Sequence, residues 1–109
     1  MALDQIPLEK SIVAAIMKAF KARGVWAKKI HGGMYQVSGL PDIIAIAPRT
    51  GRMVGIEVKR PKLGRVTSLQ EAMIDQMNAA GAIAGIARSV DEALTLIEKA
   101  DGSDAHGNG

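Results

Sequence analysis

The chain of 109 residues contains no cysteine. That removes disulfides, thiolate zinc sites and a cysteine nucleophile, and makes a reducing cytoplasm the natural setting. Long hydrophobic runs are also missing, since nothing approaches the roughly 18–20 apolar residues of a membrane span. The opening MALDQIPLEK lacks the basic-then-apolar plan of a secretory leader. A cytoplasmic protein is therefore expected. The glycines never form G-x-x-x-x-G-K-[ST], so no nucleotide cofactor is expected. The two histidines, His31 beside Gly32 and Gly33 and His106 in the tail, do not support a histidine-based mechanism.

Acidic residues are scarce in the middle of the chain. Between Lys28 and Arg65 there are eight lysines and arginines against two acids, Asp42 and Glu57. Such a run is ordinarily a solvated face; the sharper account is a polyanionic partner, most often nucleic acid. With 48% hydrophobic residues the length fits one domain with a modest core.

The spacing predicts seven elements. Asp4 is placed to cap a first helix with Pro7 in its first turn and Leu8, Ile12, Ile16 and Phe20 along one face. VWAKKI is a short strand, HGGMYQVSG a mobile connection, and DIIAIA and MVGIEVK the arms of a hairpin turned by PRTG. Ser68 and Glu71 form a capping box for a second helix with Leu69, Met73, Ile74 and Met77 on its core side. AIAGIAR is a fourth strand, and Ser89 with Glu92 opens a last helix. The tail from residue 101 to 109 has nothing to bury and is expected to be disordered. The order α-β-β-β-α-β-α describes one mixed α/β stack.

Within this frame Glu57 and Lys59 share a strand face, and the hairpin brings Asp42 toward Glu57. Two close carboxylates repel until one takes a proton or a cation intervenes. A hard divalent ion, Mg²⁺ or Mn²⁺, accepts such oxygen ligands and leaves positions for water and phosphate. That is the requirement of phosphodiester hydrolysis, in which an adjacent ammonium such as Lys59 stabilises the transition state or orients water. The plainer alternative is a Lys59–Glu57 ion pair without chemistry.

Pro41–Asp42 followed by Glu57–Val58–Lys59 resembles the PD-(D/E)xK nuclease superfamily. The wider string GLPD…GIEVKRP…SLQ is similar to its VRR-NUC branch, the virus-type replication-repair nucleases, over roughly residues 8 to 100. The resemblance implies a restriction-endonuclease-like αβββαβ core with a mixed four-stranded sheet flanked by helices, plus a C-terminal helix. It makes Asp42, Glu57 and the Val58 carbonyl metal ligands, Lys59 the catalytic lysine, Gln70 a support of that lysine or of the nucleophilic water, and Glu9 a further acid beside the site, on a second metal or acting through a water. Lys28, Lys29, Arg60, Lys62 and Arg65 are then candidates for phosphate contacts.

Stand-alone members of the branch, typically from phages and bacteria, resemble Holliday-junction resolvases and act as dimers. The resemblance thus implies a homodimeric, Mg²⁺- or Mn²⁺-dependent endonuclease selective for branched DNA, in a bacterial or phage-infected cytoplasm. Alternatives are a flap, nick or duplex nuclease, a non-catalytic nucleic-acid-binding module, and a small interaction domain.

Overall fold

The computed structural model describes residues 5–30 and 37–102. The elements follow the expected order: α1 Glu9–Ala22, β1 Trp26–Lys29, β2 Ile43–Ile46, β3 Met53–Val58, α2 Ser68–Ala79, β4 Ile83–Ala87 and α3 Val90–Ala100. His31, Gly32 and Gly33, Asp4, and the tail from residue 103 including His106 lie outside the described residues. None of the described helices is long and apolar enough to cross a membrane.

The four strands form one sheet in the order β1-β2-β3-β4, antiparallel except for the β3–β4 pair. Ala27, Ala45 and Val54 lie side by side across three strands, as do Lys29, Ile43 and Ile56. Apart from the edge strand's Ala27 and Lys29, these positions are fully buried. They face α1 and α3, whose Ile12, Val13, Ile16, Phe20, Ala93 and Ile97 complete the core. The intervening positions, Lys28, Ile44 and Gly55, point to the opposite face. There α2 packs mainly over β3 and β4, and the surface over β1 and β2 is left partly open.

Three local features differ from the sequence reading. Helix α1 starts at Glu9 behind Leu8, which offers no side-chain cap, so Pro7 precedes the first turn instead of joining it. The cap of α2 is Thr67, one residue before Ser68, and its box partner is Gln70 instead of Glu71. No residue of α2 is fully buried, and Leu69, expected on the core side, is 62% exposed. The α3 start is as expected at Ser89, whose hydroxyl accepts from the Glu92 amide, but the Glu92 carboxylate accepts from Arg88 N–H.

Asp101, which heads the segment expected to be disordered, is part of the fold. Its Oδ1 accepts from the amides of Arg49 at 2.8 Å and Thr50 at 3.2 Å, and the Thr50 hydroxyl donates to the Ala100 carbonyl. The carboxylate thereby ties the β2–β3 turn to the end of α3. Asp101→Ala is expected to lower stability by about 1 kcal/mol, the net worth of exposed hydrogen bonds to a charged acceptor. For a domain of this size that is a fall in Tm of about 4–8 °C. Thermal unfolding checks it, and because the turn lies at the end of the hairpin remote from Asp42, any nucleic-acid cleavage at low temperature should be unchanged.

Candidate active site

The hairpin register decides which side chains meet. Ile43 pairs with Ile56, so one step further Asp42 comes beside Glu57 at the end of the sheet. The antiparallel ladder continues past the strand ends, with Ile30 N–H donating to the Asp42 carbonyl at 2.8 Å. Asp42 is half-buried and its Oδ2 accepts from Val58 N–H at 2.7 Å, which fixes the carboxylate between β2 and β3.

Glu57 is the only buried charged residue among those described, with 3% exposure. Its environment accounts for its titration. Burial pushes the carboxyl up from an ordinary 4.5 to about 8; the Asp42 charge and a hydrogen bond to Asp42 reinforce this, the Lys59 ammonium opposes it, and Glu9 adds a further upward push. Around neutrality the pair Asp42–Glu57 therefore holds on to a proton in the absence of a cation.

Two side chains take hold of one Glu57 oxygen. Lys59 Nζ lies 3.6 Å from Oε2, with only 12% of its side chain exposed. Gln70 Nε2 donates to the same oxygen at 2.8 Å. The Gln70 amide is oriented from its other end, because its Oε1 accepts from Thr67 N–H at 3.0 Å while Thr67 Oγ1 accepts from Gln70 N–H at 3.2 Å. The capping box thus does two things at once: it starts α2 and aims an N–H at Glu57. A flipped amide would set oxygen against carboxylate and N–H against N–H. Gly39 seats the approach to Asp42 against this same helix start. It has a φ of +88°, and a Cβ there would come within 2.9 Å of the Leu69 carbonyl oxygen.

Glu9 is less closely joined. It is exposed at the first position of α1, near enough for its charge to act on Glu57. Among the described residues no three Asp, Glu or His side chains converge into a ready metal cage. The donors that do meet are the Asp42 and Glu57 carboxylates, with the Val58 carbonyl next to Glu57 in the chain. All of these are hard oxygen donors, chemically matched to Mg²⁺ or Mn²⁺, ions that keep several waters, and mismatched to softer metals.

The five candidate phosphate contacts divide. Lys28, Lys29, Lys62 and Arg65 are exposed. Arg60 is engaged elsewhere: its Nε donates to the Pro7 carbonyl and an Nη to the Ile6 carbonyl, both at 2.9 Å, so its visible work is to tie down the segment leading to Glu9. Lys62 adopts a left-handed φ of 64°, uncommon for a non-glycine residue, in a loop that closes through Gly64 N–H to the Arg60 carbonyl. Beneath that loop Arg88 donates to the carbonyls of Arg60 and Gly64 at 2.6 and 3.0 Å. Neither Thr67 nor Arg88 stood out in the sequence. Thr67 had a signal, since T-x-x-Q overlaps S-x-x-E, whereas Arg88 had none.

A family model described as the VRR-NUC domain matches residues 9–91. The chain belongs to the VRR-NUC family. A solved structure titled "VRR_NUC domain" is 26% identical and superposes with a TM-score of 0.67, covering 83% of this chain and 94% of its own. No curated protein matches the chain. VRR-NUC is a nuclease-type family, so membership carries nucleic-acid binding with it and matches the open mixed sheet flanked by helices. All the residues of the Asp42–Glu57–Lys59–Gln70 constellation fall within the matched span.

Proposed function

We propose that this VRR-NUC chain is a Mg²⁺- or Mn²⁺-dependent DNA endonuclease selective for branched DNA, working as a homodimer in the manner of Holliday-junction resolvases. One observation carries the nuclease part: two carboxylates from neighbouring strands are held together beside a lysine and a glutamine aimed at one of them. A cation relieves that repulsion. Asp42, Glu57 and the Val58 carbonyl would hold the ion, with Glu9 a further acid whose charge reaches the same site. When bound, the ion supplies charge for the phosphoryl oxygens and activates water.

The chain's own residues supply the rest. Val58 N–H and Gln70 Nε2 each occupy one carboxylate oxygen, on Asp42 and Glu57 respectively, and so fix how the other oxygens are presented. Lys59 keeps its ammonium beside Glu57 in a largely dry position, where it serves an incoming phosphate as donor and counter-charge. Lys28, Lys29, Lys62 and Arg65 bind backbone phosphates, which sets affinity without reading sequence.

The partly open sheet face supports the homodimer. Leu40, Ile44, Met53 and Met77 line an apolar groove beside α2, and Met53 and Leu69 are exposed at 41% and 62%. A two-fold pair would bury such a patch and offer two sites to two symmetric strands. Labelled four-way junction, flap, nicked duplex, plain duplex and single strand, each with Mg²⁺, Mn²⁺ or EDTA, test the proposal alongside light scattering. Paired symmetric cuts in the junction by a dimer are expected. A monomer on junction DNA would end the resolvase version and leave a flap or nick nuclease; salt-sensitive binding with no cutting in either metal would leave a non-catalytic module.

A further inference from the structure

The chain has a single tryptophan, Trp26, and it is 53% exposed on edge strand β1. Its neighbour Val25 is buried, so the fold draws in a small apolar residue and leaves the largest ring outside. Lys28 Nζ lies 5.9 Å from the ring centroid, a loose cation–π contact at an exposed position. A hollow at this edge is lined by Trp26, Lys28, Met17, Lys18 and Lys21.

Charge narrows what fits there. From residue 10 to residue 41 the chain carries Lys10, Lys18, Lys21, Arg23, Lys28 and Lys29, with no acid. An exposed ring among ammonium groups suits a ligand that presents a flat π face and negative charge together. An unpaired nucleotide has both, whereas a duplex hides its base faces in its own stack. Trp26 stands four residues along the edge from Ile30, which is bonded to Asp42, so it lies about 13 Å from the carboxylate end of the sheet. About four stacked nucleotides at roughly 3.4 Å each span that distance.

We propose that Trp26, with Lys18, Lys21 and Lys28, is a stacking platform for an unpaired base of single-stranded nucleic acid, separate from the carboxylate site. It rests on the nucleic-acid reading above and adds a preference for an unpaired segment about four nucleotides from the site. Lys28 leaves the ring for a phosphate as the base arrives, and Lys18 and Lys21 hold the flanking phosphates.

Because Trp26 is the sole tryptophan, its fluorescence reports this position alone. The full chain, in EDTA so that nothing is cut, is titrated with an oligothymidylate, with a duplex of equal length, and with inorganic polyphosphate. Saturable quenching by the single strand is expected, with little change from duplex or polyphosphate. Trp26→Ala should weaken single-strand binding about 5- to 100-fold by fluorescence anisotropy of a labelled strand. Duplex affinity should move less than about 2-fold, and Trp26→Phe should retain most of the single-strand affinity.

Several results would overturn it. Equal quenching by polyphosphate reduces the patch to an anion site. Undiminished single-strand affinity in Trp26→Ala removes the platform while leaving the nuclease reading intact, and absence of any nucleic-acid binding removes both. A concentration-dependent blue shift without nucleic acid, with a doubling of mass that Trp26→Ala abolishes, assigns the surface to a second copy of the chain.

Discussion

Asp42→Asn is expected to lose cleavage by about 10³-fold or more while binding DNA within about 2-fold of the parent, the loss corresponding to the several kcal/mol a metal contributes to phosphoryl charge stabilisation. The geometry explains why the loss should be selective. Asp42 Oδ2 accepts from Val58 N–H at 2.7 Å, and the Asn side-chain oxygen takes the same bond, so the β2–β3 junction survives. The new Nδ2 turns toward Glu57 and donates where a cation would otherwise be drawn in. On the proposed reading affinity would reside in the exposed Lys28, Lys29, Lys62 and Arg65, none of which touches this bond. Lys59→Met separates the roles further: it should also lose cleavage but keep Mn²⁺ binding by calorimetry, since the ammonium contributes no ligand to the ion. Cleavage by Asp42→Asn at the parental rate, from protein purified through two unrelated steps, would place the chemistry elsewhere in the chain.

The parts of this site that were legible in the sequence depend on short-range rules. Once PRTG is a tight turn between two β-type runs, the register follows, and Asp42 must arrive opposite Glu57; strand alternation then places Lys59 on the face of Glu57. The family pattern weighted these residues, but the alternation and the turn alone bring them together. The α2 start was nearly legible. T-S-L-Q-E contains two overlapping boxes, Thr67 with Gln70 and Ser68 with Glu71, and local propensity does not choose between them. The box that formed is the one whose glutamine also gives buried Glu57 a donor, a selection made by a bond between residues 13 apart.

What escaped depends on contacts of long separation. Arg60 looks like a phosphate ligand beside the catalytic strand, yet it donates to carbonyls of Ile6 and Pro7 more than fifty residues away. Asp101 reads as the start of a polar tail until its carboxylate meets the amides of Arg49 and Thr50. Leu69 fits the apolar spacing of α2, but periodicity describes a helix face and says nothing of whether the sheet beneath extends far enough to cover it. Here α2 sits over β3 and β4, and the spacing runs past the edge of what is buried.

Glu57→Gln is expected to make the metal-free protein more stable at pH 8 while abolishing its stabilisation by Mg²⁺ or Mn²⁺. The folded pKa of Glu57, about 8, lies above its ordinary 4.5. Below pH 4.5 both folded and unfolded chains carry the proton, and the group costs nothing. Between about 4.5 and 8 the unfolded chain releases the proton while the folded chain keeps it, so stability falls as pH rises; above 8 the loss levels off. The glutamine removes this slope. Its oxygen accepts from Gln70 Nε2, and its own N–H donates toward Asp42 as the protonated Glu57 does. The difference in stability between variant and parent should therefore be small near pH 4 and grow to the order of 4 kcal/mol at pH 8. Denaturant melts in EDTA across that range measure the difference directly, with other titrating groups cancelling between the two proteins. If Asp42 and Glu57 hold a cation as proposed, added Mn²⁺ should raise the parent's stability at pH 8, because an ion would take over the role of the proton there, and should leave the variant unmoved. A variant less stable than the parent at pH 8 in EDTA would show that Glu57 is held as an ion pair with Lys59 and that no cation is needed between Asp42 and Glu57.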